Sequence, residues 1–128
     1  MKNTPKVSGL KILIAEDDEV SAMLLTIILK EYHKEIFRAK TGIEAVDICR
    51  IKPDIDLIMM DIQMPSLNGD EAARQIREFN KEVVIIAQTG FALNTERKPL
   101  IEAGCNSYMS KPINSAELLA LIDICFSK

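Results

Sequence analysis

"LIMMDIQMP", residues 57–65, decides the fold: four apolar residues run straight into Asp61, and the run stops at Met64-Pro65. A strand apolar on both faces belongs to a parallel sheet covered on both sides, whereas a strand with one wet face alternates. Working outward, similar short runs recur as "KILIA" (11–15), "IFRA" (36–39), "VVIIA" (83–87) and "NSYMS" (106–110). Between them lie segments whose apolar positions repeat at three and four: "EVSAMLLTIILKEY" (19–32), "TGIEAVDICRI" (41–51) with Thr41 as N-cap, and "GDEAARQIREF" (69–79). A fourth helix ends at Gly104, and "SAELLALIDICF" (115–126) closes the series. Five strands alternating with five helices make a three-layer α/β sandwich. Pro99 falls inside the fourth helix, and proline is tolerated in a helix's first turn, which places the start near Thr95. "KEYHKE" (30–35) reads as the last turn of the first helix, with His33 and the lysines favoured by the dipole.

Length and composition bound the function. A chain of 128 residues, 48% of them hydrophobic, suffices for one domain around one core. Residues 1–9 read as a flexible lead-in and 10–127 as the domain. Net charge is −3 with both signs interspersed, so no basic stripe is offered to phosphate backbones, which argues against direct nucleic-acid binding. No apolar run is long enough to span a bilayer and no signal-peptide pattern opens the chain, so a cytoplasmic protein is expected. Cys49, Cys105 and Cys125 lack metal-ligand spacing and read as reduced, mostly buried thiols.

Right-handed crossovers point all five strands one way, so whatever follows each strand lies on one edge of the sheet. Glu16, Asp17 and Asp18 follow the first strand, Asp61 ends the third, Gln88-Thr89-Gly90 the fourth, and Lys111-Pro112 follows the fifth. Carboxylates gathered on one edge repel unless a cation compensates, and with neither His nor Cys nearby Mg2+ fits best, with Mn2+ as an alternative. Asp61 can then act as a nucleophile that forms an aspartyl phosphate. Lys111 would be a point charge for a phosphoryl oxygen, and Thr89 a hydrogen-bond donor to another. Each residue alone has a plainer reading, Asp61 as a turn residue and the acidic triplet as a helix cap. Coincidence of four polar strand ends on one edge favours a phosphoacceptor site.

Through "ILIAEDD", "MMDIQMPSLNG", "AQTG" and "YMSKPI", in that order, residues 10–127 resemble the receiver domain of two-component response regulators, and in wording most resemble receivers of hybrid histidine kinases. The resemblance implies a flavodoxin-like sheet of order 2-1-3-4-5. It also implies phosphate transfer onto Asp61 from a histidine kinase or histidine phosphotransfer protein. Glu16 and Asp17 match the acidic pair, with Asp17, Asp61 and the backbone carbonyl of Gln63 as direct Mg2+ ligands. Thr89 and Tyr108 match the switch pair, Lys111 the phosphate-binding lysine, and Lys111-Pro112 a cis peptide. Such a domain catalyses its own phosphoryl transfer and hydrolysis but has no separate turnover substrate. A homodimer through the face of helix 4, strand 5 and helix 5 is an alternative assembly. In a fold of this kind Gln63 and Phe91, two residues beyond Asp61 and Thr89, flank the approach of a hydrolytic water and modulate phosphoryl lifetime. Glycine after Thr89, then Phe91, and Pro99 in the fourth helix depart from the family's pattern.

The rival readings fit less well. In a dehalogenase-type phosphohydrolase the D-x-D pair follows its strand, yet "DID" (54–56) precedes one; in a flavin carrier "EDDE" would repel the cofactor's phosphate. A pseudo-receiver acting only as an interaction module remains the alternative, although it would not need the complete polar set.

Overall fold

The computed structural model describes residues 8–90 and 93–127, except for the side chains of 93–97. Phe91 and residues 1–7 of the expected lead-in lie outside the described residues. The strands are β1 (Leu10–Ala15), β2 (His33–Ala39), β3 (Leu57–Asp61), β4 (Val84–Thr89) and β5 (Ser107–Ser110), and the helices are α1 (Glu19–Ile28), α2 (Gly42–Ile51), α3 (Gly69–Arg77), α4 (Leu93–Ala103) and α5 (Ser115–Cys125). All four strand pairs are parallel, in the order β2-β1-β3-β4-β5. This is the flavodoxin-like order that the sequence motifs imply.

Two cores explain why the strands are apolar throughout. Leu13, Ile58, Met60, Ile85 and Ala87 pack under α2, α3 and α4 through Val46, Ala73, Ile76 and Leu100. Ile12, Ile14, Leu57, Met59 and Ile86 pack under α1 and α5 through Leu25, Leu29, Leu118 and Ile122. β3, in the middle of the sheet, is buried at every position, Asp61 included.

Local chemistry sets the ends. The Thr41 and Asn114 side chains accept from the backbone N–H of Glu44 and Glu117 and start α2 and α5. Gly104 takes a φ of +106° just past α4, as a helix stop should.

Two expectations need correction. The first helix stops at Ile28, and His33 opens β2 instead of closing α1. Burial of Leu29 and Tyr32 decides this. Both side chains enter the core, the Tyr32 and His33 N–H groups donate to the Leu29 carbonyl, and the Tyr32 carbonyl takes the Leu10 N–H, turning the chain straight into the sheet.

The fourth helix begins at Leu93, ahead of Thr95, and carries Pro99 in its interior. Its C-terminal half is pinned tightly enough to tolerate the missing N–H. Leu100 and Ala103 are buried, Cys105 N–H donates to the Leu100 carbonyl at 3.1 Å, and Arg77 Nε donates to the Gly104 carbonyl at 2.9 Å.

Candidate functional site

The polar strand ends meet on one edge. Asp61 ends β3 opposite Gln88 of β4, so Thr89, the next residue, closes the neighbouring strand. Both are buried, Asp61 at 3% exposure and Thr89 at 0%. The Lys111 N–H donates to the Thr89 carbonyl at 2.8 Å, which ties the chain after β5 to the end of β4. From there Lys111 Nζ reaches Asp61 Oδ2 at 3.2 Å and Glu16 Oε1 at 3.3 Å. The Lys111–Pro112 peptide is cis.

The acidic triplet divides its work. Asp18 is the N-cap of α1, its side chain accepting from Ser21 N–H at 2.8 Å, which is the plainer reading of that residue. Glu16 and Asp17 turn instead toward Asp61, and one carboxylate oxygen from each of the three lies within 4.8 Å of the others. Burial pushes the Glu16 carboxyl above its ordinary range, and Asp61 adds to the rise against the pull of the Asp18 N–H and Lys111. Burial works against the Lys111 charge, but Asp61 and Glu16 outweigh it and hold the ammonium above its ordinary value. Among the described residues, three carboxylates face one ammonium. The residual negative charge and an all-oxygen donor set fit a hard divalent cation.

Two devices hold this edge that composition and spacing do not announce. Arg38 of β2 donates through Nε and Nη2 to the Glu16 carbonyl at 2.9 and 2.6 Å, fixing the backbone of the acidic pair, and its Nη1 meets Glu19 at 3.1 Å. An arginine inside the apolar run "IFRA" was the available signal. Gly69 opens α3 against the nucleophile strand: a Cβ there would stand 2.3 Å from the Asp61 carbonyl oxygen. Gly42 lies as close to Leu67, so the loop from Ile62 to Asn68 is seated between the starts of two helices.

Gln63 is exposed, its N–H donates to Asp61 Oδ1 at 3.2 Å, and its side-chain oxygen faces Gly90 across the mouth of the site. Tyr108 stands opposite Ala87 in the β4–β5 register, one pleat from Thr89, half-buried against the core under α4.

The family model for the response regulator receiver domain matches residues 12–123. The chain belongs to this family. It is a receiver domain of two-component signalling, and the fold and the acidic edge agree with that. The polar-differentiation response regulator DivK of Brucella ovis is 31% identical over 113 residues, covering 87% of this chain and 91% of the relative. Among solved structures, the receiver domain of the sensor histidine kinase PA1611 from Pseudomonas aeruginosa is 33% identical with a TM-score of 0.82, covering 94% of this receiver and 100% of that chain. It holds a magnesium ion coordinated in its active site cleft. The receiver domain of Ssk1 from Saccharomyces cerevisiae, crystallised with the histidine phosphotransfer signalling protein Ypd1, is 33% identical with a TM-score of 0.81. That match covers 91% of this chain and 88% of that one. No helix among the described residues is long and apolar enough to cross a membrane.

Proposed function

We propose that Asp61 accepts a phosphoryl group from a histidine kinase or a histidine phosphotransfer protein. The observation that carries this is a buried carboxylate at a strand end, 3.2 Å from the Lys111 ammonium and grouped with Glu16 and Asp17. An Asp61 oxygen forms the new bond to phosphorus as the bond from phosphorus to the donor's imidazole nitrogen breaks. Lys111 passes from the carboxylates to a phosphoryl oxygen, and the Thr89 hydroxyl donates to another. The bound cation, Mg2+ with Mn2+ as alternative, would be held by Asp17, Asp61 and the Gln63 carbonyl, with Glu16 beside them, and would neutralise charge on the transferring group. The domain, residues 10–127 after a lead-in of 1–9, works in the cytoplasm, turns over no separate substrate, and pairs through α4, β5 and α5 when it dimerises. Gln63 and Phe91 modulate how long the phosphoryl group lasts.

Asp61→Asn tests the reading against a pseudo-receiver. Acetyl phosphate and Mg2+ should label the wild-type chain and leave the variant unlabelled, with both giving the same dispersed amide spectrum. Labelling that persists in the variant removes Asp61 from the role, and a wild-type chain that takes no label from any donor is a pseudo-receiver.

A further inference from the structure

Asp17 is the least supported member of the acidic cluster. Glu16 has the Asp18 N–H at 3.2 Å and Lys111 at 3.3 Å, and Asp61 has the Gln63 N–H and Lys111, each at 3.2 Å. The Asp17 carboxylate is exposed and, among the described residues, has no hydrogen-bond or ion-pair partner, yet one of its oxygens lies within 4.8 Å of the other two carboxylates. What holds it there is the backbone. The Glu16 N–H donates to the Ala39 carbonyl at 2.9 Å, and the Glu16 carbonyl accepts from Arg38 Nε at 2.9 Å and Nη2 at 2.6 Å. That carbonyl lies in the planar peptide unit that ends at the Asp17 Cα, so gripping it sets where the Asp17 side chain starts. Arg38 Nη1 also meets Glu19 at 3.1 Å in the first turn of α1, and Lys40 Nζ meets the same carboxylate at 2.9 Å. One guanidinium therefore brackets residues 16–19 at both ends.

We infer that Arg38 is a positioning residue for the divalent cation: by fixing the Glu16–Asp17 peptide it keeps the Asp17 carboxylate in the geometry that Mg2+ requires. The inference rests on the proposed cation set of Asp17, Asp61 and the Gln63 carbonyl. Charge alone would work the other way, since a guanidinium beside the site repels a cation, so position and charge predict opposite signs. Lysine cannot replace the fork, because an ammonium is a point charge without the planar array of donors that seats one carbonyl while a third N–H reaches Glu19. Mg2+ demands near-ideal octahedral geometry, whereas Ca2+ accepts irregular ligand sets. A loosened Asp17 should therefore weaken Mg2+ more than Ca2+, while a change of charge acts on the two alike.

The test is a titration of the 15N-labelled full chain with MgCl2, and separately with CaCl2, at constant ionic strength, following the backbone amides of Asp17 and Gln63. Arg38→Met should weaken Mg2+ binding about tenfold, the usual effect of losing a group that orients a metal ligand, and should lower the ratio of Mg2+ to Ca2+ affinity. Arg38→Lys should fall with it, despite keeping the charge. Glu19→Ala, at an exposed position, releases only the α1 end of the bracket and should lower the same ratio by a smaller factor, which keeps the test open where the Arg38 variants do not fold. Unchanged or tighter Mg2+ binding in Arg38→Met, full affinity in Arg38→Lys, or equal losses for both cations would each overturn the inference, as would an unchanged ratio in Glu19→Ala where those variants do not fold. A wild-type chain that binds neither cation would sink the cation reading itself, and this inference with it.

Discussion

Asp61 is a carboxylate at the end of a core strand because the side chains below it, Met59 and Leu57, bury the strand while the edge above gathers its partners. The thiols show the opposite use of burial. Desolvation pushes Cys49 from its ordinary 9.0 up to about 12 and Cys105 to about 11, and raises Cys125, which is only half-buried. Thiolate is the reactive form, so at pH 8 Ellman's reagent should label Cys125 slowly in the native chain and leave Cys49 and Cys105 untouched, whereas all three react in denaturant. The same shifts carry a stability consequence with a definite sign. The folded state holds these protons more tightly than the unfolded state, so the contribution is fully present below pH 9.0 and is lost as pH rises toward 12. Rapid native labelling of Cys49 would contradict the burial. The site residues were legible in the sequence wherever a polar group interrupts an apolar run, as Asp61, Thr89 and Lys111 do. Arg38 interrupts "IFRA" in the same way, but its partner, the Glu16 carbonyl, was not legible, and neither were Gly42 and Gly69, because their meaning lies in what a distant segment brings against them, such as the Leu67 carbonyl over Gly42.

Helices carry the next level. α1 is apolar nearly all round: Ala22 and Leu25 face the core, while Val20, Met23 and Ile27 stand 73%, 59% and 61% exposed. A helix with this pattern has a second face to cover. Its first turn adjoins Asp17, at the mouth that the proposed protein phosphodonor would have to cover to reach Asp61. Met23→Glu and Ile27→Glu should therefore slow transfer from a phosphorylated histidine protein by about tenfold or more while leaving acetyl phosphate labelling unchanged. Equal loss with both donors would place the effect in the site itself. α4 carries a different tension. Pro99 lacks the N–H that the interior of Leu93–Ala103 calls for, and the anchoring of Leu100, Ala103 and Gly104 offsets it. Pro99→Ala should raise unfolding stability by about 1–3 kcal/mol, the interior-proline penalty less what proline removes from the unfolded chain's freedom. A stability unchanged in urea titration would mean the helix has already adapted. The sequence placed this helix by its stop at Gly104 and missed its start, because the anchoring contacts come from α3 and from core burial, neither visible in local spacing.

At the scale of the whole molecule, the order β2-β1-β3-β4-β5 puts Asp61, the proposed phosphoacceptor, at the end of the central strand and the proposed responsive face at one side. Asp61 ends the middle strand, Thr89 the next, and Tyr108 sits on the edge strand, so a charge change at Asp61 meets Thr89 first and Tyr108 one pleat further on. Phosphorylation adds about −1.5 to −2 charges at one point, by analogy with phosphoserine. In the proposed switch the Thr89 hydroxyl would move to donate to it, and the space it leaves would let Tyr108 turn inward and reshape the face of α4, β5 and α5. A two-state element of this kind predicts coupled behaviour. With beryllofluoride and Mg2+, amide resonances at Thr89 and Tyr108 should shift together, and the changes should extend along β5 and α5. Thr89→Ala should uncouple them, leaving Asp61's neighbours perturbed and Tyr108 still. Asp61→Asn should show no response. Beryllofluoride spectra in the wild-type chain that change only around Asp61 would leave a phosphoacceptor without this switch, and the signal would then have to leave through the residues that flank the site.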